Sequence, residues 1–185
     1  MTISGSSDED ELNVSMGGRR MEEVRQYRYL GVDVSNDGRL HEEVSHRIGV
    51  ALRNAGALKS LWRRRNVSME AKVGMIEGIV EPSLMYGNEV GVLNKSEHKK
   101  VEAVEMDCLR SICGVRRIDR IRNEEVCRRC GKDASVGMKM DQSLLRWFGH
   151  VERMNEDRIP KRIYESDVVG VRRRGRPRKS WMDGV

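Results

Sequence analysis

Cys113, Cys127, Cys130 and His150 are the residues whose types could hold a metal ion. A structural zinc site needs four nitrogen or sulfur ligands in a tetrahedron, ordinarily supplied as two knuckle-like pairs. Here only Cys127 and Cys130 form a Cys-x-x-Cys pair, and a helical reading of that stretch puts Cys130 beside Val126 on an apolar stripe. Buried, reduced thiols are therefore expected ahead of zinc, and no cofactor is expected. His150, in Trp147-Phe148-Gly149-His150, has the chemistry of a general base, but no nucleophile and carboxylate accompany it in a motif. A packed or capping histidine is the expectation. Asp8-Glu9-Asp10 is rich in carboxylates, yet it sits in a stretch with nothing to position it.

The densest charge is Arg172-Arg173-Arg174-Gly175-Arg176-Pro177-Arg178-Lys179. Its Arg-Gly-Arg-Pro core resembles an AT-hook. The missing Gly175 side chain would let the backbone approach the floor of a minor groove, whose narrow A·T form attracts inserted arginines. Pro177 and its effect on Arg176 both disfavour helix, which suits an extended conformation. A nuclear localisation signal, non-specific phosphate contact and a solvated linker remain alternatives for the same run.

The rest of the chain must supply the scaffold. Its 38% apolar share and 35% charged share leave material for one thin core in 185 residues. Lysine and arginine exceed aspartate and glutamate by six, and the acidic Asp8 to Glu11 cluster makes the remainder more basic still. Such a field favours encounter with polyanions, so nucleic acid is the natural partner class. No apolar stretch approaches the ~20 residues that span a bilayer, and no secretory leader is visible at residues 1–11, so an intracellular, nuclear or cytoplasmic protein without membrane contact is expected.

Residues 1–25, with serine, glycine and acidic groups but little periodicity, read as a disordered tail. Tyr27 to Val34 reads as a short strand running into a turn at Ser35-Asn36-Asp37-Gly38. Leu40, Val44, Ile48, Ala51, Leu52, Ala55 and Leu58 recur at helical spacing, with Arg47, Arg53, Lys59, Arg63, Arg64 and Arg65 mostly off that stripe. Those six are candidate phosphate contacts. A second helix follows the cap Ser68, with Met75, Ile76, Ile79 and Val80 as its apolar face, and ends or kinks at Pro82. A third opens at Ser96 and closes at Gly114. A shorter one runs from Asn123 to Gly131, and the last from about Met138 to Met154, with Leu144, Leu145, Phe148 and Val151 inward. Beyond Pro160 the periodicity fades, and residues 161–185 read as a basic extended tail. Trp147 is expected in the core, and Trp181 is a candidate for stacking on unpaired bases.

Several strings occur in a telling order: Tyr29-Leu30-Gly31, Asp37-Gly38, Arg47-Ile48, Leu58-Lys59-Ser60-Leu61-Trp62, Tyr86-Gly87 with Glu89, Leu109-Arg110-Ser111-Ile112 with Gly114, Asp119 to Glu125, Leu145 to Met154, and Gly175-Arg176-Pro177 with Trp181. Together they resemble the part of a LINE-type, non-LTR retrotransposon reverse transcriptase that follows the catalytic palm, through the thumb and into the tail. The resemblance spans about Gln26 to Val185. It departs at Gly91, where the family carries a tryptophan, and this suggests relaxed packing there.

The resemblance implies a mainly α fold: a short N-terminal strand or hairpin, then a helical thumb-like bundle over residues 26–160, then the tail. It implies helices resting on template and primer, whether RNA, DNA or a hybrid duplex. The catalytic Ala-Asp-Asp string of that family is missing, and no two aspartates are adjacent in this chain. Two-metal phosphoryl transfer needs such paired carboxylates, so this chain alone is expected to be no enzyme. A palm domain would lie outside it, and apolar faces meant for a palm could drive self-association. Two other readings stay open: an independent DNA-binding or interaction module working through the Arg-Gly-Arg-Pro run, and a relic of a decayed element without function.

Overall fold

The computed structural model describes residues 14–35, 40–166 and 181–182. The turn residues 36–38 and the basic run 172–179 lie outside the described residues. The fold is mainly helical, with short antiparallel hairpins at its N-terminal end.

Two strands, β1 (Ser15–Met16) and β2 (Arg19–Arg20), pair through Gly17 and Gly18, both at positive φ. This exposed hairpin stands within the stretch expected to be a disordered tail. The segment from Tyr27 to Val34 is not one strand. It folds back on itself as β3 (Gln26–Tyr29) and β4 (Val32–Ser35), with Tyr29 opposite Val32. Leu30 and Gly31 make the turn at φ +48° and +85°, the pair of positive angles that a type I′ hairpin loop requires. Only Gly31 advertises that turn, because leucine seldom adopts such a φ.

Helix α1 (His41–Trp62) buries Val44, Ala51, Ala55, Leu58 and Trp62. Leu52, expected inward, is 50% exposed. Ser68 caps α2 (Met69–Met75), its hydroxyl accepting from the Ala71 N–H. Pro82 neither ends nor sharply breaks the helical path. A π-helical turn, Ile76–Val80, leads directly into α3 (Glu81–Met85), and the Glu81 N–H donates to the Ile76 carbonyl five residues back. Proline has no N–H to give and its ring crowds the carbonyl four residues before it, so a widened turn immediately ahead of Pro82 accommodates both defects. Ile76 and Val80 are buried, while Ile79 faces out.

The long helix α4 (Lys95–Cys113) starts one residue before Ser96. Asn94 caps it, its Oδ1 accepting from the Ser96 and Glu97 N–H groups while Glu97 reaches back to the Asn94 N–H. That reciprocal box satisfies donors a helix start leaves orphaned. Gly114, at φ +68°, ends it. Arg122, not Asn123, precedes α5 (Asn123–Cys130). Ser135 caps α6 (Val136–Glu152), which buries Met140, Leu144 and Val151 and leaves Leu145 52% exposed. Finally α7 (Ile159–Glu165) lies largely where an extended tail was expected. Pro160 falls in its first turn, where a missing N–H costs nothing and the fixed φ is already helical.

The core is a single cluster filled from α1, α2, the π turn, α3, α4, α5 and α6, with α1 laid along α3 and α4. At Gly91 the packing is not relaxed. A Cβ there would collide with the isobutyl group of Leu40, which occupies the space a larger residue would need. Gly91→Ala is expected to destabilise the fold by about 1–3 kcal/mol through overpacking, read as a lower urea midpoint at unchanged m-value. Simultaneous Leu40→Ala should recover part of the loss.

Candidate nucleic-acid interface

From Gly49 to Val67 the chain carries Arg53, Lys59, Arg63, Arg64 and Arg65 and no acidic residue. All five cations are exposed, on the second half of α1 and its C-terminal end. No ion pair among the described residues engages them. They are free to meet an external anion.

Arg47 is different and must be removed from the candidate set. It is 5% exposed, lies 3.2 Å from Glu43 through its Nε, and donates from Nη1 to the Tyr86 carbonyl at 3.0 Å and toward that of Leu84 at 3.4 Å. Burial lowers its pKa, a shift opposed by the neighbouring Glu43, Glu89 and Glu97. Its work is internal: it supplies a donor to carbonyls at the end of α3, where the helix leaves them without one.

Several strings that carry the resemblance meet at this junction. The Tyr86 hydroxyl donates to the Leu30 carbonyl at 2.6 Å, and its ring lies against Gly31. A side chain on Gly87 would come 2.9 Å from Val32. Glu43 accepts from the Asp33 N–H, tying β4 to α1. Glu89 accepts from the Ser143 hydroxyl, and its carbonyl takes the Trp181 indole N–H at 3.0 Å. Trp181 also packs near the rings of Phe148 and Tyr164. It is therefore part of the fold and not an open stacking platform. Trp147 is half-buried, and His150 is exposed with its ring 5.4 Å from that of Trp147, not packed in the core.

A second charged assembly is buried. Lys132 contacts Glu81 and, at 2.9 Å, Glu105; Lys139 bridges Glu77 at 2.9 Å and Glu81 at 2.8 Å. Burial works against the charged Lys132 ammonium, but its bonds to Glu81 and Glu105 prevail and hold its pKa above the usual range. Burial raises the Glu105 carboxyl, against the opposing effect of the Val136 N–H and Lys132. Both charges of each pair are compensated, so the cluster clamps α3, α4 and α6 together.

The thiols are free. Cys113 and Cys130 stand in sulfur–sulfur contact at 3.0 Å, and burial pushes the Cys130 thiol up to about 12. Cys127 packs partly against the core. Among the described residues no group of three or more His, Cys, Asp or Glu side chains is arranged to hold a metal ion, so Cys113, Cys127, Cys130 and His150 are not assembled as a ligand set. No helix among the described residues is long and apolar enough to cross a membrane.

Between α1 and α4 lies a cleft of about 380 Å³. Lys59 and Trp62 line it from α1, Asp107 and Arg110 from α4, and Arg116 and Arg117 from the segment after Gly114. Arg117 is paired with Asp107 at 2.9 Å, whereas no carboxylate among the described residues pairs with Lys59 or Arg116. Sequence reading missed the contribution of Arg110, Arg116 and Arg117, which fall outside any single basic run. Comparisons with models of protein families, with curated proteins and with solved structures give no match for this chain.

Proposed function

We propose that this chain is a non-catalytic nucleic-acid-binding segment, of the kind that its resemblance to the thumb and tail of a LINE-type reverse transcriptase suggests, and that the exposed cations of α1 are its contact surface. The observation that carries this reading is the run of five exposed cations from Arg53 to Arg65 without an intervening carboxylate. Arginine and lysine so placed neutralise phosphates and fix a duplex in position without reading its bases. The same surface accepts RNA, DNA or hybrid duplex, because backbone charge is common to all three. Nuclear residence would follow if the target is chromosomal.

Fluorescence anisotropy with labelled duplexes over a salt series tests this. The full chain should bind with an affinity that falls steeply with salt. Replacing Arg63, Arg64 and Arg65 together by Glu should weaken binding roughly tenfold or more. It should also flatten the log–log salt slope on B-form DNA by about 0.9 for each phosphate no longer neutralised. Because Trp181 is built into the fold, the contribution of the terminal run is best probed by substituting Arg172, Arg173, Arg174, Arg176, Arg178 and Lys179 by Ser, with Trp181 retained. If that variant loses all affinity while the α1 variant keeps it, the Arg-Gly-Arg-Pro module is the binding element instead. A chain that binds no duplex at low salt would leave the relic reading.

A further inference from the structure

The cleft between α1 and α4 holds two donors without acceptors. The Trp62 indole N–H and the Arg110 Nη1 are buried and lack any hydrogen-bond partner, and both side chains line this cleft. Folded proteins leave few buried donors unpaired, and each such group calls for an explanation. Arg110 is not loosely placed: its Nη2 donates to the Ile121 carbonyl at 2.7 Å and to Asn123 Oδ1 at 2.8 Å. One arm of the guanidinium is thus anchored by the start of α5 while the other faces no acceptor.

The surroundings say what chemistry would satisfy them. Lys59 and Arg116 bring uncompensated positive charge to the rim, and Asp107, the one carboxylate lining the cleft, is already neutralised by Arg117. The Cys108 thiol, also at the lining, is pushed up to about 11 by burial and stays neutral. An acceptor-rich anion fits such a site; a cation does not. Leu52, exposed despite its apolar side chain, supplies a flank that a sugar or base could cover. The volume falls in the range of small-ligand pockets, about 300–1,000 Å³, enough for one nucleotide unit.

We propose that this cleft seats a single nucleotide phosphate, with Trp62 Nε1 and Arg110 Nη1 donating to its oxygens once the rim side chains part, and Lys59 and Arg116 neutralising its charge. This rests on the nucleic-acid reading above but differs from it in kind: the α1 cations grip a backbone along its length, whereas the cleft takes one phosphate. A phosphate monoester of a free nucleotide and the terminal phosphate of a strand present the same chemistry.

Nuclear magnetic resonance of the uniformly nitrogen-15-labelled full chain tests it through the indole N–H signals, that of Trp62 being assigned with Trp62→Phe. Adding AMP should shift the Trp62 signal saturably, and adenosine should not. A 5′-phosphorylated dinucleotide shifting it at lower concentration than AMP identifies a strand end as the source; the reverse order identifies the free nucleotide. The double variant Lys59→Ala, Arg116→Ala, which alters only exposed side chains, should raise the AMP concentration at half-saturation at least tenfold. A Trp62 signal unmoved by both phosphates, or moved equally by adenosine, overturns the proposal. The α1 triple variant separates the two readings: if it loses duplex binding yet wild-type Trp62 ignores AMP, the cleft falls and the basic surface stands. An AMP response in a chain that binds no duplex does the opposite.

Discussion

Lys132→Met is expected to destabilise the protein by about 3–5 kcal/mol, the cost of leaving buried carboxylates without their counter-charge. The substitution keeps most of the side-chain volume, so the loss is electrostatic. Glu81 and Glu105, each almost wholly buried, would remain beside one another. The effect should depend on pH with a definite sign. Burial already raises the Glu105 carboxyl with Lys132 present, and removing the ammonium raises it further. A carboxyl whose folded pKa exceeds its unfolded value, near 4.3, favours the fold fully below that value and loses this contribution as pH rises through the folded pKa. The deficit of the variant should therefore shrink as pH falls from 7 toward 4. Urea midpoints across that range measure it, and a deficit that stays constant with pH would rule out the buried carboxylates as its cause. Adding Glu81→Leu and Glu105→Gln should recover much of the loss, since the amide carbonyl of the new glutamine can still accept from the Val136 N–H.

Arg47→Met is the second large effect, again about 3–5 kcal/mol. It strands the Glu43 carboxylate and deprives the Tyr86 carbonyl of its donor. The matched change Arg53→Met, six residues along the same helix, should stay within about 0.5 kcal/mol, as surface substitutions do. The contrast has a readout beyond stability. Glu43 also accepts from the Asp33 N–H, so hydrogen exchange at Asp33 should quicken in the Arg47 variant and not in the Arg53 variant. Equal effects at the two positions would refute the division of labour between them.

Those two arginines also mark how far the sequence could be read. The apolar stripe of α1 was legible, and its true centre runs through Val44, Ala51, Ala55, Leu58 and Trp62. Arg47 lies three residues after Val44 and four before Ala51, so spacing alone places it on that stripe. Residue type pulled the other way, because arginine is rarely buried unless paired. Its partner Glu43 stands one helical turn away, a signal that was available. Leu52 sits off the centre of the stripe, and its apolar character alone suggested burial. Lys132 offered no local signal, since Glu81 comes from 51 residues away and only the tertiary fold joins them. The helical caps at Ser68 and Gly114 were readable because capping is local chemistry. The hairpin turn at Leu30 was not, because a leucine at positive φ is held there by its surroundings, including the Tyr86 hydroxyl on its carbonyl.

The widened turn at Ile76–Val80 makes the chain's length count there as much as its composition. A π turn is equivalent to one residue inserted into an α-helix, and each residue of an α-helix advances the side chains by about 100°. Removing one residue from this stretch would restore a regular helix while swinging everything after it by about that angle. Glu81 would then leave Lys132 and Leu84 would leave the core, although no residue outside the turn had changed. The segment from Met69 to Met85 should thus tolerate many exchanges of side chain but not a single-codon deletion, and the phase of α3 against α4 and α6 is stored in that one extra residue.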